Sequence, residues 1–463
     1  MRLRITDNNW STIDECVTQQ LTEEDKSKIK SDLEKIADKE ISKLSLDDNP
    51  NLLIYPKELN HYGDEIGESC ILSLRENKIF TGNIMGFVGV GDTQLEIKSR
   101  FSKNCEQDYF LHYMLQKVFS INLFDIQHTI SKQHIFDFRL YLFPHFLKKA
   151  MSQGLFKKYK RFEYNNANVR GPIDVNRHVR ENIPFKGTIA YSVREHSYDN
   201  EVIQLVRHTI ECIRTKDLGS AILNDDLETR DCVSQIIMAT PTYNVRDRIK
   251  IINQNLRPLQ HPYYSAYTDL QKICLQILRH ESIKYGQEKD KVYGVLFDGA
   301  WLWEEYIAKV LSEGTDFKHY TRKKSNYYLF EKDDGKSFQR IIPDYYDNVN
   351  NIVADAKYIP LHNYDKLDAE KALTVYYKTI MYMYRFNTEK GFLLHPISQD
   401  EADKFPVNVD YKIKGRDKCH LYKVGFVVPS EDDNYSSFRK IMKEKETIYQ
   451  ENIRQYISNF TKY

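Results

Sequence analysis

The chain has 463 residues, with 67 Lys and Arg against 66 Asp and Glu, and a formal net charge of +1 at pH 7. A chain of this length predicts roughly two or three domains, and a net charge so near zero excludes DNA binding that depends on an overall positive charge. The sequence has no apolar run of about 18 residues and no signal-peptide core, so we expect a cytoplasmic protein with no membrane contact. Its seven cysteines are scattered and contain no C-x-x-C pair, which argues against a zinc site or a disulfide framework.

The first part of the chain predicts a surface helix followed by strands. Residues 23–43 are charged and rich in helix formers, and Thr22 precedes them as a cap. Residues 71–101 alternate polar and apolar side chains and are interrupted by glycines, which predicts strands joined by turns. The stretch G-F-V-G-V-G-D at 86–92 lacks the G-K-[ST] ending of a phosphate loop, so we interpret it as a hairpin turn. Any dependence on a nucleotide would therefore come from a partner.

Basic residues are concentrated between residues 147 and 170, where the only acid is Glu163. Aromatic residues alternate with the basic ones, which are Lys148, Lys149, Lys157, Lys158, Lys160, Arg161 and Arg170. A second short cluster consists of Arg322, Lys323 and Lys324. We predict that these clusters contact the DNA backbone, and the alternative is a solvated charged surface. Because the positive charge is only local, affinity and sequence choice are expected to come largely from another subunit.

The most informative pattern is I-I-P-D-Y-Y-D-N-V-N-N-I-V-A-D-A-K at residues 341–357. Two short apolar runs flank a turn at 347–351, which predicts a hairpin that brings Asp344 close to Asp355. Asp355 and Lys357 would share one face of the second strand. Converging carboxylates repel each other unless a cation lies between them, and hard oxygen ligands suit Mg²⁺, for which Mn²⁺ can substitute. Lys357 would position or deprotonate a water for attack on phosphorus, which is the PD-(D/E)xK arrangement.

The D-x-K triplet alone is not specific, because it also occurs at 334–336 and 410–412, with a Glu version at 96–98. We interpret these three copies as solvated strands or turns. Asp355 differs because a Pro-Asp pair precedes it, apolar residues flank it, and a helix is predicted to follow. The alternative for Asp355 is an accidental exposed hairpin.

Helical spacing predicts a helix on each side of this hairpin. Residues 295–311 would carry Glu304 and Glu305, acids that such a helix could turn toward a metal. Residues 364–386 would carry a basic stripe that contacts phosphates or forms an ordinary solvated face. The members of that stripe are Lys371, Lys378 and Arg385. Buried strands are predicted at 391–396 and 421–429, and a closing polar helix at 435–457.

The order helix, three strands, helix and two strands predicts an α/β core with a mixed sheet. We therefore predict a multidomain α+β or α/β protein, with a mixed, β-rich N-terminal region, a helical middle region and a C-terminal restriction-endonuclease-like α/β core. The predicted boundaries are 1–135, 136–250 and 251–463.

Three segments, in this order, resemble the McrC family, the nuclease subunits of McrBC-type modification-dependent restriction systems. The first is G-N-I-M-G-F-V-G-V-G-D-T-Q-L-E-I-K-S-R-F at 82–101, and the second is V-R-G-P-I-D-V at 169–175. The third combines L-W-E-E-Y at 302–306, I-P-D at 342–344 and D-A-K-Y at 355–358. The combination points to this family, since the nuclease motif alone would suit many families.

The resemblance implies a role for each matching residue. Asp344 and Asp355 would bind the metal, Lys357 would be the catalytic lysine, and Glu304 would be the acid on the preceding helix. Many relatives carry a Gln four positions before a Tyr on the following helix, where this chain has Lys378. Lys378 would either take over the contact of that Gln with the attacking water or a phosphate, or neutralise phosphate charge.

The resemblance also implies a division of labour. An McrB-like AAA+ GTPase would recognise double-stranded DNA and translocate on it, while the McrC-like subunit docks on that ring, stimulates GTP hydrolysis and cuts the DNA. Residues 1–135 would form the docking region. The alternatives are a stand-alone PD-(D/E)xK repair nuclease and a non-cutting adaptor that regulates the GTPase.

Overall fold

The computed structural model describes residues 1–17, 20–45, 52–56, 69–91, 93–102, 108–119, 138–216, 219–224, 226–283, 292–320, 327–361, 369–430 and 435–458. The strands are β1 (Arg2–Thr6), β2 (Trp10–Thr12), β3 (Leu52–Tyr55), β4 (Leu72–Arg75), β5 (Lys78–Thr81), β6 (Ile84–Val90), β7 (Thr93–Lys98), β8 (Lys158–Asn166), β9 (Ile189–Ser197), β10 (Val292–Asp298), β11 (Lys318–His319), β12 (Tyr328–Glu331), β13 (Ser337–Arg340), β14 (Tyr345–Asp347), β15 (Ile352–Ala356), β16 (Lys390–Ser398), β17 (Asn408–Lys412) and β18 (His420–Val428). The helices are α1 (Glu23–Glu34), α2 (Ile41–Ser45), α3 (Tyr109–Phe119), α4 (Phe138–Met151), α5 (Val175–Asn182), α6 (Glu201–Arg214), α7 (Gly219–Asn224), α8 (Leu227–Ala239), α9 (Arg248–Gln254), α10 (Ala266–Ile283), α11 (Gly299–Ser312), α12 (Ala369–Phe386), α13 (Gln399–Ala402) and α14 (Tyr435–Ser458).

The chain forms two compact units. The first unit combines Met1–Ser120 with Glu288–Tyr463, and the second is Ile121–Gln287. The first unit is therefore built from two stretches that are far apart in the sequence. This grouping differs from the predicted division at residues 135 and 250, which stays a prediction about independently folding domains. Within the described ranges, no helix combines the length and apolar character needed to cross a membrane.

One sheet of the first unit has the strand order β1-β7-β6-β10-β3. β10 is antiparallel to β6 and parallel to β3, and it joins the two parts of the unit. The predicted start of the helix at residue 295 was therefore wrong, because Val295 to Phe297 belong to β10. α11 begins only at Gly299, where the side chain of Asp298 accepts a hydrogen bond from the backbone N–H of Ala300.

α1 is shorter than the helix predicted at 23–43. Its start is as predicted, because the Thr22 hydroxyl and the Asp25 carboxylate form a reciprocal capping box. The helix ends at Glu34, and Asp38 adopts a left-handed φ of 55°, which separates α1 from α2. The buried face of α1 carries Ile29 and Leu33, which belong to the aliphatic core of this sheet.

Residues 86–91 of the glycine-rich stretch form most of β6 and begin the turn toward β7, and the antiparallel pairing of these strands confirms the predicted hairpin. Gly86 has a φ of 123°, and a Cβ atom there would lie 2.3 Å from the carbonyl oxygen of Val295. Gly91 occupies the turn with a left-handed φ of 58°. These glycines allow close strand approach and a tight turn, and the segment leads into a strand rather than a helix.

The second sheet of the first unit has the order β11-β14-β15-β16-β18-β17. β15, β16 and β18 are parallel, while β14 and β17 pair antiparallel. One face packs against α12 through Val353, Leu393 and Met383. On the other face, Phe426 contacts Trp303 of α11 at 6.0 Å and Tyr449 of α14 at 5.3 Å between ring centroids. The predicted strands and closing helix are confirmed, and β17 is an additional edge strand.

The second unit contains α4 to α10 together with an antiparallel ribbon of β8 and β9. The middle region is thus mostly helical, as predicted. Its basic stretch, however, contributes the strand β8. Residues 158–166 carry aromatic side chains, which favour a strand, and their exposure alternates from residue 161 onward. Tyr164 stacks on Tyr191 of the neighbouring strand with ring centroids 5.5 Å apart.

Candidate active site

The hairpin of β14 and β15 forms as the sequence predicts. Asp347 shapes the turn, because its Oδ1 accepts hydrogen bonds from the backbone N–H groups of Val349 at 2.9 Å and Asn350 at 3.0 Å. Tyr345 pairs with Ala354 in the antiparallel register. One step further along this register, Asp344 and Asp355 lie opposite each other on the same face.

Asp344 and Asp355 meet in surroundings that differ for the two carboxylates. Asp355 is completely buried, whereas Asp344 is partly buried and accepts a 2.7 Å hydrogen bond from the backbone N–H of Ala356. Burial, followed by the negative charge of Asp355, raises the pKa of Asp344 well above its usual range. Burial alone would also raise the pKa of Asp355, but the cations Lys357 and Lys378 outweigh it and lower that pKa.

Lys357 supplies the nearest positive charge. Its Nζ lies 2.5 Å from Oδ2 of Asp355, and its backbone N–H donates to the carbonyl oxygen of Leu394 at 2.8 Å, which fixes the residue beside β16. Burial works against its charge, but the Asp355 carboxylate prevails and raises the pKa of Lys357. The described surroundings give neither oxygen of Asp355 a hydrogen bond of good geometry. This carboxylate is therefore charged, buried and not saturated by donors.

α12 contributes a second lysine to the site. Nζ of Lys378 lies 3.8 Å from Oδ1 of Asp355, and its side chain is 41% exposed. The same Nζ lies 5.8 Å from the ring centroid of Tyr382, which is buried one helical turn later. Lys378 thus lies between the buried carboxylate of Asp355 and solvent.

Glu304 lies on α11 but makes its closest side-chain contact elsewhere. Its Oε1 is 2.7 Å from Nε2 of His319, and its backbone carbonyl accepts a 2.5 Å hydrogen bond from the Tyr345 hydroxyl. The charge of Glu304 still contributes to the raised pKa of Asp344, after burial and Asp355. Glu304 is therefore an electrostatic neighbour of the pair. Its contact with His319 could not be predicted from the sequence, since the two residues come from different elements.

The predicted phosphate-contacting residues have different outcomes. Arg322, Lys323 and Lys324 lie outside the described residues, and so does the side chain of Lys371. Nε of Arg385 donates to the carbonyl oxygen of Tyr328 at 2.5 Å, so this member of the stripe supports the base of β12. Of the stripe Lys371, Lys378 and Arg385, only Lys378 is seen beside the carboxylates.

A hydrogen-bonded network fixes the residue that follows Lys357. The hydroxyl of Tyr358 lies 2.7 Å from Oγ of Ser99, and the guanidinium carbon of Arg100 is 4.8 Å from the Tyr358 ring centroid. Arg100 in turn binds the buried carboxylate of Asp7, with Nη2 2.7 Å from Oδ2. The sequence did not predict this network, which joins the end of β7 to the segment that carries Lys357.

A buried lysine lies on the same sheet face as Asp355. The strand register aligns Asp355 with Leu393 and Leu393 with Lys423, so Lys423 lies two strands away, at about 10 Å. Its Nζ donates to the carbonyl oxygen of Leu361 at 3.2 Å and to the Tyr411 hydroxyl at 3.2 Å. Lys423 therefore holds the chain just after the Lys357 segment, a role that its sequence context does not signal.

The described residues contain no group of three or more His, Cys, Asp and Glu side chains that could hold a metal ion. A metal at this site would have to rely on Asp344 and Asp355, with its remaining positions filled by water and a phosphate. Mg²⁺ suits such an arrangement because it usually keeps several waters and takes only one or two carboxylates. The unsaturated oxygens of Asp355 fit that demand.

The sequence matches the family of McrBC 5-methylcytosine restriction system components over residues 79–396. This match covers more than half of the chain, and the chain belongs to that family. It is similar to a chain of a refined half-complex from a tetradecameric assembly of Thermococcus gammatolerans McrB AAA+ hexamers with bound McrC. The identity is 16%, the TM-score is 0.46, and the match covers 96% of this chain and 100% of that chain.

A second similar structure is the cryo-EM structure of the Thermococcus gammatolerans McrBC complex. The identity is 16% and the TM-score is 0.35, and the match covers 71% of this chain and 89% of that chain. A comparison with curated proteins gave no significant match.

Proposed function

We propose that this chain is the DNA-cleaving subunit of its restriction system and that it hydrolyses phosphodiester bonds of double-stranded DNA with Mg²⁺. The observation that carries the proposal is the pair Asp344 and Asp355, opposed across a hairpin, with Nζ of Lys357 2.5 Å from the buried Asp355. The mixed sheet with helices on both faces agrees with a PD-(D/E)xK nuclease core.

The two carboxylates would hold the metal ion. The oxygens of Asp355 have no well-formed hydrogen bonds, and the negative charge of Asp355 repels Asp344. A cation between them would coordinate the oxygens and cancel the repulsion. When bound, Mg²⁺ or Mn²⁺ supplies a Lewis acid for the phosphate and lowers the pKa of a coordinated water.

Lys357 would orient the attacking water and neutralise negative charge that develops on the phosphate, since its ammonium group already lies at the carboxylate pair. Lys378, which is partly exposed, would contact a non-bridging phosphate oxygen of the incoming DNA. Glu304, paired with His319, would act from the periphery and contribute negative charge near Asp344.

We also propose that the chain acts with an AAA+ GTPase of the McrB type and stimulates it. The similar structures contain McrB hexamers with bound McrC, and this sequence has no phosphate loop of its own. Residues 1–135 stay the predicted docking region. Outside that region, in the second unit, four apolar side chains on and just after α5 are more than half exposed, and exposed apolar surface can mark a protein contact; they are Val175, Val179, Ile183 and Phe185.

The test mixes the purified full-length chain with double-stranded DNA and Mg²⁺, with and without the GTPase encoded beside it. We expect cleavage that requires the GTPase, GTP and Mg²⁺, and GTP hydrolysis that rises when the chain is added. Asp355→Asn should abolish cleavage and keep the rise in GTP hydrolysis. The matched control is Asp410→Asn, which changes another D-x-K triplet, on β17, where the carboxylate pairs with His420.

The outcomes separate the alternatives. Cleavage by the chain alone would identify a stand-alone nuclease. A rise in GTP hydrolysis without cleavage under any condition would identify a non-cutting adaptor. Cleavage that survives Asp355→Asn would overturn the site assignment.

A further inference from the structure

β12 and β13 form a two-stranded antiparallel ribbon that is separate from the six-stranded sheet. All residues of β13 are exposed, and Gly335 turns the tip with a left-handed φ of 77°. Tyr328 lies opposite Arg340, and Phe330 lies opposite Phe338. Because directly opposed residues share a face, the register divides the ribbon into two faces of different chemistry.

One face, called here the aromatic-basic face, combines aromatic and basic side chains: Tyr328, Phe330, Lys332, Lys336, Phe338 and Arg340. Phe330 and Phe338 are 55% and 51% exposed and stack on each other with centroids 6.3 Å apart. Nζ of Lys332 lies 5.2 Å from the Phe338 ring centroid, which places it on the same face. The opposite face carries Glu331 and Ser337.

The acids near this face belong to the tip. Asp334 forms a 3.0 Å ion pair with Lys336, and both side chains are more than half exposed. Such an exposed pair contributes little and exchanges readily for another anion. The aromatic-basic face itself carries no acid, so it favours a polyanion over an acidic or neutral protein surface.

The base of the ribbon is fixed next to the candidate active site. The carbonyl oxygen of Tyr328 accepts from Arg385 of α12 at 2.5 Å, and the Tyr327 ring contacts Phe386 at 4.7 Å. The N–H of Ile341 donates to the carbonyl of Tyr327 at 3.0 Å. From Arg340 the chain reaches Asp344 within about 14 Å. The helix that carries Lys378 therefore also holds the ribbon.

We propose that the aromatic-basic face enters a groove of duplex DNA beside the scissile phosphate. Phe330 and Phe338 pack against sugars and bases, and Lys332 and Arg340 contact flanking phosphates. A two-stranded ribbon fits a DNA groove, and exposed apolar wedges between basic residues are a known means of groove binding. The proposal deepens the proposed DNA cleavage and rests on it for the position of the scissile phosphate.

The test measures binding of the full-length chain to a fluorescent 30-base-pair duplex without divalent cations, over a series of salt concentrations. Phe330→Ala with Phe338→Ala should weaken binding roughly tenfold, as expected from lost aromatic contacts. Lys332→Ala with Arg340→Ala should weaken binding and reduce the salt slope by about 2. The matched control, Glu331→Ala with Ser337→Ala, changes the opposite face and should leave both quantities within about twofold of the wild type.

Cleavage with Mg²⁺ and the GTPase is then measured for the same variants, and it should fall in parallel with binding. GTPase stimulation and oligomeric state should not change in either double variant. If both variants bind DNA as the wild type does, the proposal is overturned. It is equally overturned if the phenylalanine variant loses only GTPase stimulation or self-association, because the face would then bind protein. A wild-type chain that binds DNA but never cuts it would refute the proposed function, while the binding series would still decide the role of the ribbon.

Discussion

Two buried aspartates of the first unit each lie against a cation, but they differ in how their oxygens are satisfied. Asp7 accepts hydrogen bonds from the backbone N–H of Arg100 at 2.6 Å and from its Nε at 2.9 Å, and Nη2 of the same residue lies 2.7 Å away. Asp355 has Nζ of Lys357 at 2.5 Å, yet its described surroundings give it no well-formed hydrogen bond. It also faces the carboxylate of Asp344.

The difference separates a structural carboxylate from one that is available to a ligand. A buried charge is tolerated when donors occupy its lone pairs, as Arg100 does for Asp7. Asp355 is less completely satisfied and is repelled by Asp344, an arrangement that is typical of functional sites. Residue type and burial are the same in both places, so only the local geometry distinguishes them.

The first prediction concerns Asp344→Asn at the candidate active site. Asp344→Asn should reduce cleavage by at least ~100-fold, because it removes one of the two carboxylates proposed to bind the metal ion. The free energy of unfolding should stay equal or increase, since the repulsion with Asp355 is removed. Cleavage rates and urea unfolding of the same preparation would measure both effects. A variant that loses activity and stability together would make Asp344 a structural residue like Asp7.

The second prediction concerns the satisfied carboxylate. Asp7→Ala should lower the free energy of unfolding by about 3–5 kcal/mol, because it leaves the largely buried guanidinium of Arg100 without its partner. Urea unfolding followed by circular dichroism would measure this loss. Asp14→Ala is the control, since Asp14 is 60% exposed and solvent weakens its ion pair with Lys26, so its loss should change the free energy of unfolding far less. Equal free energies of unfolding for Asp7→Ala and Asp14→Ala would show that Asp7 is not a structural residue.

The third prediction uses metal binding without catalysis. Mg²⁺ at about 100 times its Kd should stabilise the wild type by about 2.7 kcal/mol, because a ligand that binds only the folded state stabilises it. Thermal unfolding in Mg²⁺ and in EDTA would show this as a higher Tm in Mg²⁺. Asp344→Asn should lose the difference, whereas Asp14→Ala should keep it. A shift that persists in Asp344→Asn would place the metal elsewhere.

The fourth prediction compares the two lysines at Asp355. Lys357→Gln should reduce cleavage by at least ~100-fold, whereas Lys378→Gln should reduce it by about tenfold or less. Lys378 is farther away, at 3.8 Å, and it is 41% exposed, so solvent screens its charge. Single-turnover cleavage at saturating DNA would compare them. A larger loss in Lys378→Gln would make it the principal cation of the site.

The smallest effect is expected at Tyr358, which follows Lys357 in the chain and whose ring lies against Arg100, the partner of Asp7. Tyr358→Phe removes the hydroxyl that pairs with Ser99 and should cost about 1–2 kcal/mol of stability. Cleavage should change only a few-fold, because the Tyr358 ring still supports the Lys357 segment. Ser99→Ala gives the reciprocal measurement, and the double variant should not be additive. Additive losses would show that the two hydroxyls act separately.

The sequence predicted the hairpin well because its signals are local. The asparagine-rich turn, the alternation of Val353, Asp355 and Lys357, and the strand lengths are all set within a few residues. The contact of Glu304 with His319 depends on how β11 packs beside α11, and that of Tyr358 with Ser99 joins elements that are distant in the chain. No periodicity or spacing encodes such contacts, so they required the folded structure.

The same distinction accounts for the wrong start of the helix at 295–311. The segment Val295 to Phe297 is apolar and suits either a helix or a buried strand. Its strand form is decided by pairing with β6 and β3, whose partner residues lie far upstream. The short α1 lies in a comparable setting, since the backbone N–H of Asp38, just beyond the helix, donates to the carbonyl oxygen of the distant Leu72 at 2.9 Å.

The position of β10 also sets an order of events for a chain that emerges from a ribosome. Strands β3 and β6 are synthesised early. The strand that lies between them in the sheet, β10, consists of Val292–Asp298 and is synthesised much later. The nascent chain must carry two unpaired edges while the whole of the second unit, Ile121–Gln287, is translated. Exposed strand edges promote aggregation, so production of this protein should depend on chaperones that hold the early segment. A truncated gene product that stops near residue 250 would never complete the first sheet.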